Sequence, residues 1–172
     1  MKTITKLRII YPIWTAVSIF SLLYASTLAS GSLVFKFGQL GQIVVQFFQI
    51  IVALLLFELF KDTDKKQALL MVIFGLMGVP FALMGILFPD ALHLAGVFWG
   101  LWLIPMGTLA IGSGMFPKWL GYFLYIGSLG YLGATVSFFL TGNVPAYIES
   151  LTFGELIWVL WITFAGIKKP QK

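Results

Sequence analysis

The chain has no cysteine, a single histidine and, in 172 residues, only six Asp or Glu and 11 Lys or Arg. Each scarcity closes off a class of protein. Without cysteine there are no disulfides, no thiolate metal sites and no cysteine nucleophiles. A lone histidine, His93, excludes bis-histidine haem ligation and the His-Glu-x-x-His zinc helix. Charged residues make up 10% of the chain, where an ordinary soluble domain carries roughly 25%. A soluble globule is thereby excluded, because apolar residues beyond those that fill a small core would form one large exposed patch. What is present points to lipid as the solvent: 60% hydrophobic residues, 17% aromatics and 18 glycines, with a mean hydropathy of +1.00. Membrane helices use small residues at their contacts and Trp or Tyr at the bilayer interfaces.

A spanning helix needs about 20 mostly apolar residues. Six such stretches are expected, at residues 9–28, 40–60, 68–88, 91–111, 119–140 and 151–167. The breaks are Ser30-Gly31-Ser32, the charged run Lys61 to Lys66, Pro89-Asp90, Gly112 to Lys118, and Thr141 to Pro145. They leave no room for a soluble domain, so residues 1–172 read as one transmembrane domain. Ile50 to Phe57 and Leu120 to Ile126 are apolar on every side. Barrel strands would alternate, so the fold class is all-α, a six-helix transmembrane bundle.

With six spans both termini share a side. Lys2, Lys6, Arg8, Lys61, Lys65, Lys66, Lys118, Lys168, Lys169 and Lys172 fall on that side and only Lys36 on the other. The positive-inside rule then puts both termini in the cytoplasm, in the cell membrane. The net charge of +5 is thus a topology signal, and no nucleic-acid partner is expected because the basic residues form no stripe. Lys2, Lys6 and Arg8 before an apolar run, with Thr27-Leu28-Ala29 behind it, imitate a secretory signal. The run is too long and is followed by further spans, so an uncleaved first helix is expected. Tyr11, Trp14, Trp119, Tyr122, Trp158 and Trp161 toward the inner side, and Tyr24 and Tyr147 toward the outer, read as interfacial anchors.

Chemistry is concentrated in a few positions. Gln39, Gln42, Gln46 and Gln49 lie within about 80° of one face of the second span at about 100° per residue. Amides there must turn to a protein partner or a water-filled cavity. They serve either as glue between helices, with Thr15, Ser18 and Ser26 as partners, or as a ligand or ion path. Among the acids, Asp62, Asp64, Asp90 and Glu149 belong to loops and Glu58 to the inner end of a span. Glu155 is embedded, about one turn into the sixth span after Gly154. A carboxylate there needs a donor, and the expected arrangement is an outward-facing polar pocket of Glu155, Gln39, Gln42, Gln46, Gln49 and His93. The plainer alternative has Glu155 reaching to the headgroups and His93 capping a loop.

No catalytic motif is found. No Lys lies at mid-membrane to form a Schiff base, and Ser113 is assigned to the face opposite His93. Gly75-x-x-Gly78, Gly96-x-x-x-Gly100 and Gly127-x-x-Gly130-x-x-Gly133, with Gly154, read as packing faces. The methionines read as apolar filler, and neither metal nor cofactor is expected. Pro80 and Pro105 fall inside the third and fourth spans, where each removes a backbone hydrogen bond.

The stretch Phe98-Trp99-Gly100-Leu101-Trp102-Leu103-Ile104-Pro105-Met106-Gly107 is followed by Ser113-Gly114-Met115-Phe116-Pro117-Lys118-Trp119-Leu120-Gly121 and by Gly127-Ser128-Leu129-Gly130-Tyr131-Leu132. With these runs the chain resembles a bacterial six-helix membrane family known as a domain of unknown function, DUF 4386. The resemblance rests on a Ser-Gly-x-x-Pro-Lys-x-Leu-Gly loop, the Gly127 to Leu132 run with Tyr131, and the Gly154-Glu155 pair. Phe35-Lys36-Phe37-Gly38 is similar to the family's Phe-Arg-x-Gly, and Gln42 and Gln49 fall where members often place acids. Trp102 stands where the family usually has His, which implies that any role of that His is lost or altered here. The family supplies a fold and weight for Glu155, and no activity.

The function expected from these residues is binding of membrane lipid, a small solute or a membrane-protein partner through the outer pocket. The alternative is a small-solute or proton-coupled transporter using Glu155 and the Gln stripe.

Overall fold

The computed structural model describes residues 2–29 and 31–165. Lys168, Lys169 and Lys172, the end of the expected sixth span and Ser30 lie outside the described residues, as do the side chains of Lys2 and Ser26. Among the described residues the fold is all-helical, with six helices long and apolar enough to cross a membrane.

The first span starts as α1 (Lys2–Ser18), continues as a π-helical turn, Ile19–Tyr24, and ends in a 3₁₀ turn, Ala25–Thr27. The others are α2 (Leu33–Phe60), α3 (Lys65–Met84), α4 (Ala91–Gly112) and α5 (Lys118–Thr141). The sixth is α6 (Ala146–Ser150) followed directly by α7 (Phe153–Phe164). Local chemistry sets the ends. Ser32 Oγ accepts from Phe35 N at 3.1 Å and opens α2, so the helix starts well before Leu40 and carries Lys36 on an exposed flank. Asp64 Oδ1 accepts from Lys66 N and Gln67 N at 2.9 and 3.1 Å, which satisfies free N–H groups at the start of α3. Gly142, at φ +70°, ends α5 in the left-handed conformation that glycine adopts without strain.

Besides the second span, which begins at Leu33 rather than Leu40, the first and sixth spans begin earlier than expected, and the first and third end earlier, at Tyr24 and Met84. The first span begins at Thr3 rather than Ile9. Its charges are helical, and Arg8 is spent on the helix across from it: Nε and Nη2 donate to the Ile162 and Ala165 carbonyls at 3.2 and 2.5 Å. A cation on the last carbonyls of α7 favours the helix end. The sixth span begins at Ala146 rather than Leu151, because Pro145 precedes a helical turn that the polar Glu149 and Ser150 do not interrupt.

The helices form a ring in chain order. α1 packs on α2, α2 on α3, α3 on α4, α4 on α5, α5 on α6 and α7, and α7 returns to α1. Short connections make neighbours antiparallel. The end of the ring nearest the N-terminus and the Lys61 turn is the lysine-rich end. Behind it lies the core: Leu7, Tyr11, Leu56, Phe60, Met71, Met106, Leu120, Trp158 and Ile162 are wholly buried. Phe60, Phe116 and Trp158 form one aromatic cluster, with centroids 4.7 to 6.3 Å apart. Tyr11 and Trp158 are therefore core residues and not interfacial anchors, since their polar atoms meet each other: Trp158 Nε1 donates to Tyr11 Oη at 3.1 Å. Trp119, Tyr122, Tyr24 and Tyr147 are exposed, as anchors require.

Candidate functional site

Past the Tyr11–Trp158 bond the ring opens inside into a cavity of about 280 Å³. Its walls come from the first span (Trp14, Thr15, Ser18, Ile19, Leu22, Leu23), α2 (Val45, Gln46, Gln49), Trp99 of α4, Tyr131 of α5, and the sixth span (Thr152, Phe153, Glu155, Leu156, Val159).

Both of the walls that flank the mouth depart from α-helical geometry there. In the first span Ser18 Oγ donates to the Trp14 carbonyl at 2.8 Å, immediately before the π-helical turn. A hydroxyl that competes for a helical carbonyl perturbs the ladder, and π turns collect at functional sites. In the sixth span the junction between α6 and α7 is wound tightly: Leu151 N, Thr152 N, Gly154 N and Glu155 N each bond three residues back, at 3.1 Å. One wall is loosened by a residue and the other tightened.

Glu155 sits on that tightened junction, nine residues in from Ala146 on a 19-residue span. It therefore lies near the middle of the span, deeper than the one turn expected. Glycine puts it there. A Cβ on Gly154 would collide with the Phe123 carbonyl oxygen, and one on Gly130 would stand 2.7 Å from Thr152 N. α7 and α5 thus touch backbone to backbone, and Gly127 leaves the same room beside Glu155 N. Gly133 faces Ile148, while Gly96 and Gly100 make room for Thr135 and Leu132 across the α4–α5 contact.

The Glu155 carboxylate accepts from Tyr131 Oη at 2.9 Å. The indole Nε1 of Trp102 is buried and meets no partner at hydrogen-bond distance. Across the cavity, Gln46 and Gln49 are 6% and 3% exposed. Gln46 Oε1, Gln49 Nε2 and Trp14 Nε1 are buried and meet no protein partner. Rotating a glutamine amide exchanges donor and acceptor, so either amide is able to serve as one or the other.

The structure gathers Glu155, Gln46 and Gln49 at the cavity and leaves Gln39, Gln42 and His93 outside its walls. The four glutamines do share a helical face, but the cavity reaches only the middle of α2. His93 instead stacks on Phe138, centroids 3.6 Å apart, and its carbonyl accepts from Thr135 Oγ1 at 2.9 Å. Thr15 and Ser18 line the cavity from the first span, and Ser18 is committed to Trp14. Tyr131, Trp14 and Trp99 belong to the site and are absent from the sequence expectation. Their signal was available in Tyr131, an OH-bearing ring three turns from any interface, while the two tryptophans resemble ordinary packing.

A ring of six helices long and apolar enough to cross a membrane places the chain in the class of multi-pass helical membrane proteins. The model of the family described as "Domain of unknown function (DUF4386)" matches residues 86–166, a stretch that contains Trp99, Trp102, Tyr131 and Glu155. The chain is also 26% identical over 138 residues to an uncharacterized protein of Archaeoglobus fulgidus, covering 76% of this chain and 85% of that one. No solved structure matches.

Proposed function

We propose that this is a binding protein of the cell membrane, whose intramembrane pocket receives the polar group of a lipid or of a small solute with an apolar body. One observation carries this reading. Buried hydrogen-bonding groups are nearly always paired, yet Gln46, Gln49 and Trp14, which line the cavity together with Glu155, keep three buried polar atoms without a protein partner. Helix glue would have bonded them across the interface; a ligand or water inside the pocket satisfies them instead. No catalytic role is assigned. Native mass spectrometry of protein released from membranes into mild detergent tests the reading. The wild type should carry a small adduct that the Gln46→Leu, Gln49→Leu double variant loses. Identical spectra for the two, at equal thermal stability, would reject it.

Transport is the second reading, favoured by the non-α stretches on both sides of the pocket, because transporters bind their substrates at discontinuous helices. It requires the Tyr11–Trp158 floor to part. A cysteine at Val159, the deepest wall residue of α7, would then react with impermeant reagents from either side of the membrane by turns; protection from the lysine-rich side throughout would exclude a carrier. The basic residues support a pocket that opens toward the outer half. The cysteine-free chain makes this easy to check, since a thiol at Ser32 should label from outside and one at Thr63 should not.

A further inference from the structure

We infer that the ligand is an amphipathic organic cation, an alkyl chain ending in an ammonium group, which enters the pocket sideways from the bilayer. The inference rests on the reading of the cavity as a binding site and adds its charge, its shape and its route.

Charge comes first. The walls contain Glu155 and no Lys, Arg or His. Among the described residues the one ion pair is Lys61 with Glu58, at the lysine-rich end. A fatty carboxylate or phosphate would bring a second negative charge beside Glu155 with no cation to offset it, in a medium where unpaired charge is costly. An ammonium group pairs with the carboxylate. The aromatic rings agree with this. Trp99 and Tyr131 meet edge to face, centroids 5.9 Å apart, and Trp14 stands in the wall of the first span. Carboxylate and ring faces together are the setting in which proteins hold organic cations.

Shape and route follow from the mouth. Ile19, Leu23 and Phe153 line the cavity and are nevertheless 48%, 63% and 60% exposed. Ile19 and Phe153 lie roughly 8–10 Å inside the ends of their spans at 1.5 Å per residue, and Leu23 lies at the outer edge of the first span. The mouth therefore faces acyl chains. A cavity of about 280 Å³ is smaller than most sites for whole drug-sized ligands. It takes a head and leaves the tail between Leu23 and Phe153, in lipid.

The test uses the full-length protein in phospholipid nanodiscs, with a single thiol introduced as Thr15→Cys and a membrane-permeant maleimide. Octylammonium, 1-octanol and octanoate share a tail and differ in head charge. At equal membrane concentration octylammonium should slow labelling at least tenfold more than either comparator. Glu155→Gln should abolish that preference, and Glu155→Asp should retain part of it, which separates loss of charge from loss of fold. Phe153→Trp should slow the onset of protection without changing its final extent. Equal protection by octanol or octanoate would overturn the cationic class and leave the pocket reading standing. Protection by none of the three would overturn both. An onset rate untouched by Phe153→Trp would overturn the sideways route.

Discussion

The two halves of the bundle are built from the same apolar residue types and treat their polar atoms in opposite ways. In the lysine-rich half most buried polar atoms are used up, Trp161 Nε1 being the exception among the described residues. Trp158 donates to Tyr11, Arg8 covers the last carbonyls of α7, and Phe60 and Phe116 close around Trp158. In the other half Gln46, Gln49, Trp14 and Ser21 keep buried polar atoms without protein partners, and the helices part around a cavity. Van der Waals packing and satisfied hydrogen bonds hold membrane helices together, since lipid offers no hydrophobic drive between them. One half therefore supplies the cohesion that lets the other remain open.

Trp158→Ala should show the largest effect. It removes a wholly buried ring at the junction of three elements and strips Tyr11 of its donor, for a loss of about 3–5 kcal/mol. Denaturant unfolding in mixed micelles would measure it. Tyr131→Phe comes next. It deletes only the donation to Glu155, a hydrogen bond to a carboxyl group, and should cost about 1–3 kcal/mol. If it cost as much as Trp158→Ala, the pocket wall would be as structural as the core, and the contrast between halves would fail. Gln49→Leu should be close to neutral or stabilising by up to about 1 kcal/mol, because it replaces an amide without a partner by an apolar side chain of similar size. A loss above about 2 kcal/mol would mean that Gln49 is held by a structural bond and is not offered to a ligand.

How much of this was legible beforehand follows the same division. Six spans, their antiparallel order and the embedded Glu155 could be read from runs of hydropathy and a single polar interruption, because lipid penalises every exception. Gln46 and Gln49 were legible as a face. Depth was not, so Gln39 and Gln42 were grouped with them, and His93 was joined to the pocket although it stacks on Phe138. The π turn at Ile19–Tyr24 and the tightened junction at Leu151–Glu155 shift hydrogen bonds by one residue in opposite directions. Neither leaves a trace in hydropathy. The sites of closest approach, such as Gly154 on the Phe123 carbonyl, were legible as small residues but not as to partner.

The smallest effect belongs outside both halves and calibrates them. Lys61 Nζ lies 2.7 Å from Glu58 Oε2, both side chains exposed, and the hydrogen bond to Glu58, then its charge, holds Lys61 above its ordinary 10.5. The sign of the pH dependence follows from that direction. A group whose folded value is raised contributes stability that is fully present below 10.5 and is lost as the pH climbs through the raised value. Comparing wild type with Glu58→Gln, thermal unfolding should differ slightly at pH 9 and converge well above pH 11, the difference shrinking with added salt because solvated pairs are screened. That difference is the worth of an exposed charge in this protein. A Glu155→Gln variant that moved stability or ammonium protection no further than Glu58→Gln would show that the embedded carboxylate does nothing a surface charge does not.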